Sequence, residues 1–378
     1  MASTKTITVY TNFNDEYFRD MISAVYYESV YILVVLFFSI FCFEKYRRQS
    51  SPIKEDGKSA LVYAVILALF IGFRPVHPVF ADTVGYARYY AYVYGDPFQF
   101  STDVENLIFD NLLHYMASAG FSCTIFFLLI AFIYFVGRYI ACKKMFPNNT
   151  WAAFLVFLGA FISFTSAVNG FKAGAAASLF VCAIAYRDNK PLAISLLALS
   201  WGFHHSMSVC IAAYILVLMY KNTKTYYAFW FFALVVAIAH ITEFQSIFAD
   251  YVDDKSAGYL ITEEEGGEGW YTGMRYDFVL YSFMPILVGW DAIFRKRIRI
   301  PEYTFVLNLY VLLNALWMLC MYANFTNRIA ALSWALYPIV IIYPYLSEKS
   351  NYPNKNRMFA VVMLLHLAFT LFMKFIYY

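Results

Sequence analysis

Three proton-accepting groups and four cations stand out in a sequence of which only 14% of residues are charged. The acceptors are Asp82, Glu105 and His204, and the cations are Arg74, Lys172, Arg275 and Arg328. A fixed guanidinium grips phosphate oxygens in pairs. A positioned carboxylate or imidazole takes a proton from a reacting hydroxyl. Gathered in one place, these groups would make a reaction site.

Each also has an ordinary structural use. Arg74 sits where an apolar run ends, before Pro75 and Pro78, and a long cation there can simply snorkel to the interface. Asp82 reads equally well as the N-cap of a helix over Thr83–Tyr94 and as a base. Glu105 opens VENLIFDNLLHYMAS, where a first-turn carboxylate also suits the helix dipole. Lys172 lies in NGFKAG, residues 169–174, between two apolar runs. A cation at that helix N-terminus adds to backbone N–H groups that already favour an anion. His204, in FHHS at 203–206, is either a satisfied interface residue or a proton-transfer group near neutral pH. Arg275 and Arg328 each open a late apolar run, as anchors or as further outward cations.

The elements that must position these residues are membrane helices. The chain is 62% hydrophobic and 21% aromatic, well beyond a soluble domain. Apolar runs with short polar breaks extend from end to end, predicting one all-α polytopic domain over 1–378. About twelve spans fit the length rule, at 24–43, 59–73, 121–139, 151–168, 171–187, 190–204, 206–220, 226–241, 277–294, 303–322, 328–346 and 357–376. The sixth and seventh form a hairpin or one broken helix around His204–His205. In the first long outer loop, 74–120, a tyrosine-rich segment and an amphipathic helix carrying Leu107, Ile108, Leu112, Tyr115 and Met116 are expected at the interface.

Every second connection is basic: Glu44–Lys58, Arg138–Lys144, Arg187–Lys190, Lys221–Lys224, Arg295–Arg299 and Lys349–Arg357. Basic loops stay in the cytoplasm, so both termini are expected outside and all seven candidate residues fall on the outer side. The loop 242–276, with its acidic glycine-rich TEEEGGEGW, reads as a solvated gate. The net charge of +3 gives no reason to expect a nucleic-acid partner. The six cysteines are isolated, without a CxxC pair, and no HExxH-like spacing accompanies His204, so no metal or other cofactor is expected.

With these residues in view, roughly 25–345 resembles the EpsG family, a Wzy-like group associated with polymerising exopolysaccharide repeat units. Arg74 followed by Ala81–Asp82–Thr83–Val84–Gly85–Tyr86 looks like the family's arginine and G-T-D-T-x-x-Y element, without the usual Gly-Thr. Glu105 matches a glutamate opening an amphipathic segment. Asn169–Gly170–Phe171–Lys172–Ala173 looks like N-x-x-R-Q, with lysine and alanine in place of arginine and glutamine. Phe203–His204–His205–Ser206 matches F-H-x-[ST], which selects His204 over His205, and Arg328 matches an arginine opening a late span.

The resemblance implies a GT-C-like bundle in the bacterial inner membrane. It further implies a glycosyltransferase working, without metal, on undecaprenyl-diphosphate-linked oligosaccharides as donor and acceptor. A flippase and a chain-length regulator would be its partners, and membrane lipid its surroundings. On that expectation Arg74, Lys172, Arg328 and Arg275 bind the diphosphate, and Asp82 or His204 is the base with Glu105 in reserve. Tyr86, Tyr89, Tyr90 and Asn169 would contact sugar. The rival readings are a flippase for the same lipid-linked glycan, which needs charge at the bundle's midplane, and a membrane sugar O-acyltransferase using the histidine.

Overall fold

A computed structural model describes residues 22–55, 57–245, 273–323 and 326–377, and every regular element among them is helical. The chain folds as two compact units, Met1–Met207 with Met363–Tyr378, and Ser208–Val362.

The first unit contains α1 (Tyr27–Arg48), α2 (Lys58–Gly72), α3 (Asp82–Tyr92), α4 (Leu107–Ser118) and α5 (Cys123–Met145). It continues through α6 (Thr150–Leu158), α7 (Ser163–Val168), α8 (Phe171–Ala185) and α9 (Lys190–Phe203). The second holds α10 (Met207–Met219), which starts at the boundary, α11 (Thr223–Ile238), α12 (Tyr276–Trp290), α13 (Pro301–Leu319), α14 (Thr326–Trp334) and α15 (Tyr337–Leu346). The last helix, α16 (Lys355–Phe372), starts in the second unit and passes into the first at Met363.

Each predicted span coincides with a helix or a broken pair of helices. Six stretches among the described residues are long and apolar enough to cross a bilayer: Ala24–Arg48, Cys123–Met145, Tyr276–Arg295, Pro301–Leu319, Thr326–Leu346 and Lys355–Tyr377. The apolar helices α2, α8, α9, α10 and α11 are shorter. At 1.5 Å per residue a 15-residue helix reaches about 22 Å, less than the roughly 30 Å hydrocarbon core. Leu33, Phe37, Ile40 and Phe41 leave an exposed apolar side on α1, which suits a lipid environment. This is a polytopic helical membrane protein.

Two predicted spans are broken. The span 151–168 divides into α6 and α7 around Gly159, whose added Cβ would lie 2.6 Å from Leu367 Cδ2. Carbonyls freed at the break find side-chain donors. Tyr31 Oη donates to Leu158 O at 2.9 Å, Thr370 Oγ1 to Gly159 O at 2.8 Å, and the His366 ring lies 3.0 Å from Val156 O through Nε2. The span 328–346 divides into α14 and α15, where Pro338 has no N–H to give Trp334 O.

Two local expectations are also corrected, at Arg138 and Asp82. The helix α4 packs Phe109, Leu113, Met116 and Ala117 inside the unit and leaves Tyr115 52% exposed. Arg138 belongs to no basic loop, because α5 runs on to Met145 and buries its guanidinium 5.0 Å from the Tyr134 ring and 5.1 Å from Phe157. Asp82 is not an N-cap. It is the first residue of α3, and the cap position is Ala81, at φ 32 and with no side-chain bond. Most of the expected gate, 246–272, and residues 1–21 lie outside the described residues.

Buried polar pairs tie the second unit together. Trp230 Nε1 donates to Asn314 Oδ1 at 2.8 Å, Asn314 Nδ2 to Ser333 Oγ at 3.0 Å, and Trp334 Nε1 to Ser282 Oγ at 2.8 Å. Each satisfies a polar group that would be expensive to bury alone.

Candidate functional site

In the first unit, helix direction sorts the polar residues. Lys58 starts α2, Lys143 and Lys144 end α5, Arg187 lies between α8 and α9, and Lys190 starts α9. The opposite ends of α2, α8 and α9 carry Arg74, Lys172 and His204, and α3 and α4 are inserted between α2 and α5. Chain connectivity alone therefore separates the basic loops from the candidate site residues.

The site is built on an aromatic floor. Phe109 of α4 sits 5.5 Å from Tyr86 of α3, 6.0 Å from Phe171 at the start of α8 and 6.2 Å from Phe203 at the end of α9. These edge-on and tilted contacts hold four helix ends at fixed separations. Lys172 Nζ lies over this floor, 5.9 Å from the Tyr86 ring and 5.6 Å from Phe109. Asp82 precedes Tyr86 by four residues, so both share one face of α3.

Arg74 lies beneath the floor. Its side chain is enclosed, with the residue only 3% exposed, 4.8 Å from the Phe127 ring and 5.4 Å from Phe171. Nε and Nη2 donate to Thr83 Oγ1 at 3.2 and 2.9 Å, Nη1 to Ile71 O at 2.9 Å, and Nη2 to Val168 O at 3.5 Å. Burial pulls its pKa down to about 10, so it is still protonated at neutral pH. In this arrangement the guanidinium joins the ends of α2 and α7 to the start of α3 as a brace. Arg275, in the second unit, is likewise engaged: Nε and Nη2 reach Asp277 Oδ1 and Oδ2 at 3.0 and 2.6 Å. Arg328 is exposed in the first turn of α14.

The sharpest geometry lies where residues 104–106 meet 204–206. Glu105 Oε1 is 3.3 Å from His205 Nδ1, and Asn106 Oδ1 accepts the His205 amide at 3.0 Å. His204 stacks on His205 with centroids 5.1 Å apart and 21° between planes. His204 Nδ1 accepts the Ser206 amide at 3.2 Å and sits 2.8 Å from Ser206 Oγ. A ring nitrogen that accepts a backbone N–H carries no proton, so neutral His204 is protonated at Nε2. The expected role of His204 as proton acceptor would then fall to a ring whose Nδ1 is already engaged by Ser206. Glu105 lies outside the first turn of α4, which starts at Leu107, and it touches the histidine that the family motif passes over.

The remaining expected sugar contacts divide. Tyr89 is 51% exposed and Tyr86 half-buried, but Tyr90 is core, its hydroxyl donating to Phe121 O at 2.8 Å. Asn169 Oδ1 is buried and accepts no hydrogen bond in the turn before α8. The Glu105–His205 contact was hidden from sequence reasoning because 100 residues separate the pair. The doubled histidine of FHHS was its only trace.

An all-helical membrane protein with its polar candidate residues clustered at helix ends is the class that fold and geometry define. The sequence profile of the EpsG family matches residues 59–378, and the chain belongs to that family. It is thereby a membrane protein of the polysaccharide-polymerase type. The chain matches no curated protein and no solved structure.

Proposed function

We propose that this protein polymerises glycan repeat units, transferring an undecaprenyl-diphosphate-linked oligosaccharide onto the terminal sugar hydroxyl of a second lipid-linked unit at the outer face of a bacterial inner membrane. The observation that carries the reading, given the family, is the convergence of Lys172, the Asp82–Tyr86 face, Glu105 and the histidine pair around the Phe109 floor. An ammonium at a low-dielectric boundary stabilises the charge that develops on a departing diphosphate. An imidazole–carboxylate pair serves the attacking hydroxyl. Tyr86 and Tyr89 offer ring faces to sugars, and Arg328 stays a candidate cation of its own unit.

A flippase would draw on the break between α6 and α7 together with buried Arg138 and His366, since interrupted helices mark transport sites. Here side chains already satisfy the carbonyls of Val156, Leu158 and Gly159, which favours a structural break. The deciding experiment supplies purified protein with lipid-linked repeat units. A ladder of chain lengths supports the polymerase. Transbilayer movement of single units without a ladder would support the flippase, and release of a coenzyme A thiol from an added acyl donor would support the O-acyltransferase.

A further inference from the structure

A groove with a charged mouth lies in the first unit and shares no residue with the Phe109 floor. Ile32 and Leu36 of α1, Leu367 and Leu371 of α16, and Phe161 and Phe164 beside the α6–α7 break line its walls. Glu28 precedes Ile32 by four residues and Leu36 by eight, so the three share one face of α1. At 1.5 Å per residue that face runs about 12 Å, within one half of a roughly 30 Å hydrocarbon core. Polar side chains in the walls are engaged elsewhere. Tyr31 Oη donates to Leu158 O and Thr370 Oγ1 to Gly159 O, which leaves the groove a largely hydrocarbon surface. Lys374, just past the end of α16, meets Glu28 at the mouth, with Nζ 2.5 Å from Oε1 and 5.7 Å from the centre of the Phe161 ring. The lysine side chain is 19% exposed and that of Glu28 37%, so both reach the surface. Tyr27, beside Glu28, packs edge-on at 5.5 Å against Phe80, which puts the mouth at the end of the unit where α3 begins.

An apolar slot one leaflet deep that ends in a charge pair has the plan of an amphiphile, and the pair narrows which one. Its charges sum to zero. An anionic headgroup reaches Lys374 only beside the Glu28 carboxylate, which repels it. A headgroup that carries a phosphate and an ammonium complements both side chains at once. The phosphate oxygens accept from Lys374 Nζ, and the ammonium donates to Glu28, each bond strengthened by charge. A primary ammonium has N–H groups to donate, whereas a quaternary one has none. We propose that this groove binds one phospholipid with a primary-amine headgroup, its chain along Ile32, Leu36 and Leu371 and its headgroup on Glu28 and Lys374. The proposal stands apart from the polymerase reading, because the groove selects against a lipid diphosphate. A lipid seated there covers the outer side of the break between α6 and α7 and stabilises the first unit by mass action.

The test uses the full-length protein in nanodiscs made from equal parts of ethanolamine, choline and glycerol phospholipids with identical chains, plus a polyprenyl diphosphate. Native mass spectrometry reads which lipid stays bound as the belt is stripped away. The wild type should retain the ethanolamine lipid about tenfold over the choline lipid, the worth of one charge-assisted hydrogen bond. It should also melt at a higher temperature in nanodiscs of ethanolamine lipid than in those of choline lipid. Glu28→Gln should erase the preference for ethanolamine over choline, because the ammonium loses its ionic partner. Lys374→Gln should lower retention of both. Leu36→Trp, which fills the groove and leaves the charge pair intact, should abolish retention. The headgroup comparison on the wild type needs no variant to fold, and the melting curve of each variant in choline lipid checks that it has folded. Equal retention of all three phospholipids overturns the proposal, as does preferential retention of the glycerol lipid or the diphosphate. Retention that Glu28→Gln and Leu36→Trp both leave unchanged places the bound lipid elsewhere and overturns it too.

Discussion

Thr83 Oγ1 accepts from both Nε and Nη2 of Arg74, at 3.2 and 2.9 Å, and itself donates to Val168 O at 3.2 Å. One hydroxyl thereby relays a buried cation to the carbonyl end of α7. Because the guanidinium is engaged inward, Arg74 is expected to govern stability more than substrate affinity. Arg74→Ala strands the carbonyls it served and should lower stability by about 2–4 kcal/mol, and Thr83→Val by about 1–3 kcal/mol. Thermal unfolding in detergent measures both. Normal melting of Arg74→Ala with a selective loss of diphosphate affinity would contradict the brace.

Gly174 admits no side chain. A Cβ there would lie 2.0 Å from Ser166 O and 3.2 Å from Tyr134 Cδ2, and a backbone oxygen cannot swing aside as a side-chain tip can. Gly174→Ala should push α8 off α7, at about 1–3 kcal/mol or more as overpacking does. Gly170, four residues earlier, has nothing within 4 Å of its added Cβ and a φ of −89, so Gly170→Ala should melt like the wild type. Comparing the two melting curves checks the contrast.

The break between α6 and α7 depends on donors from elsewhere in the first unit. Tyr31→Phe removes the donor to Leu158 O and Thr370→Val the donor to Gly159 O. Each should cost about 1–3 kcal/mol, the penalty for leaving a buried carbonyl unmet. Hydrogen exchange of the 160–164 amides should rise in both variants, and unchanged protection would mean that other groups hold the break.

Arg275, the N-cap of α12, and Asp277 in its first turn form a two-point ion pair, with side chains only 13% and 8% exposed. Their effects should be shared. Arg275→Ala and Asp277→Ala should each destabilise, and the double variant should be less damaging than the sum, by about 0.5–3 kcal/mol of coupling. Additive losses in the double-mutant cycle would instead leave Arg275 with a separate task.

The sequence made the helices and the polarity of their ends readable. Apolar period and the alternation of basic connections depend on neighbours in the chain, and a bilayer leaves helices little alternative. It also made the neighbourhoods of Lys172, Glu105 and FHHS readable as places of interest. What it concealed depended on partners far along the chain. Arg74 looks the same in sequence whether it is exposed or enclosed, and the Phe127 and Phe171 rings that enclose it lie far along the chain. His204 and His205 are indistinguishable in type, and only their contacts separate them, Ser206 with the first and Glu105, from α4's leading segment, with the second. The break at Gly159 carries no proline to announce it. Its donors come from positions 127 to 211 residues away.

That last distance bears on the order of synthesis. Residues 363–378 complete the first unit, yet they emerge from the ribosome after the whole of Ser208–Val362. Until His366 and Thr370 arrive, the carbonyls of Val156 and Gly159 lack the donors that make their interruption tolerable within a bilayer. The nascent first unit therefore stays unlatched until the second unit has been translated, because the stretch that closes it follows that unit in the chain.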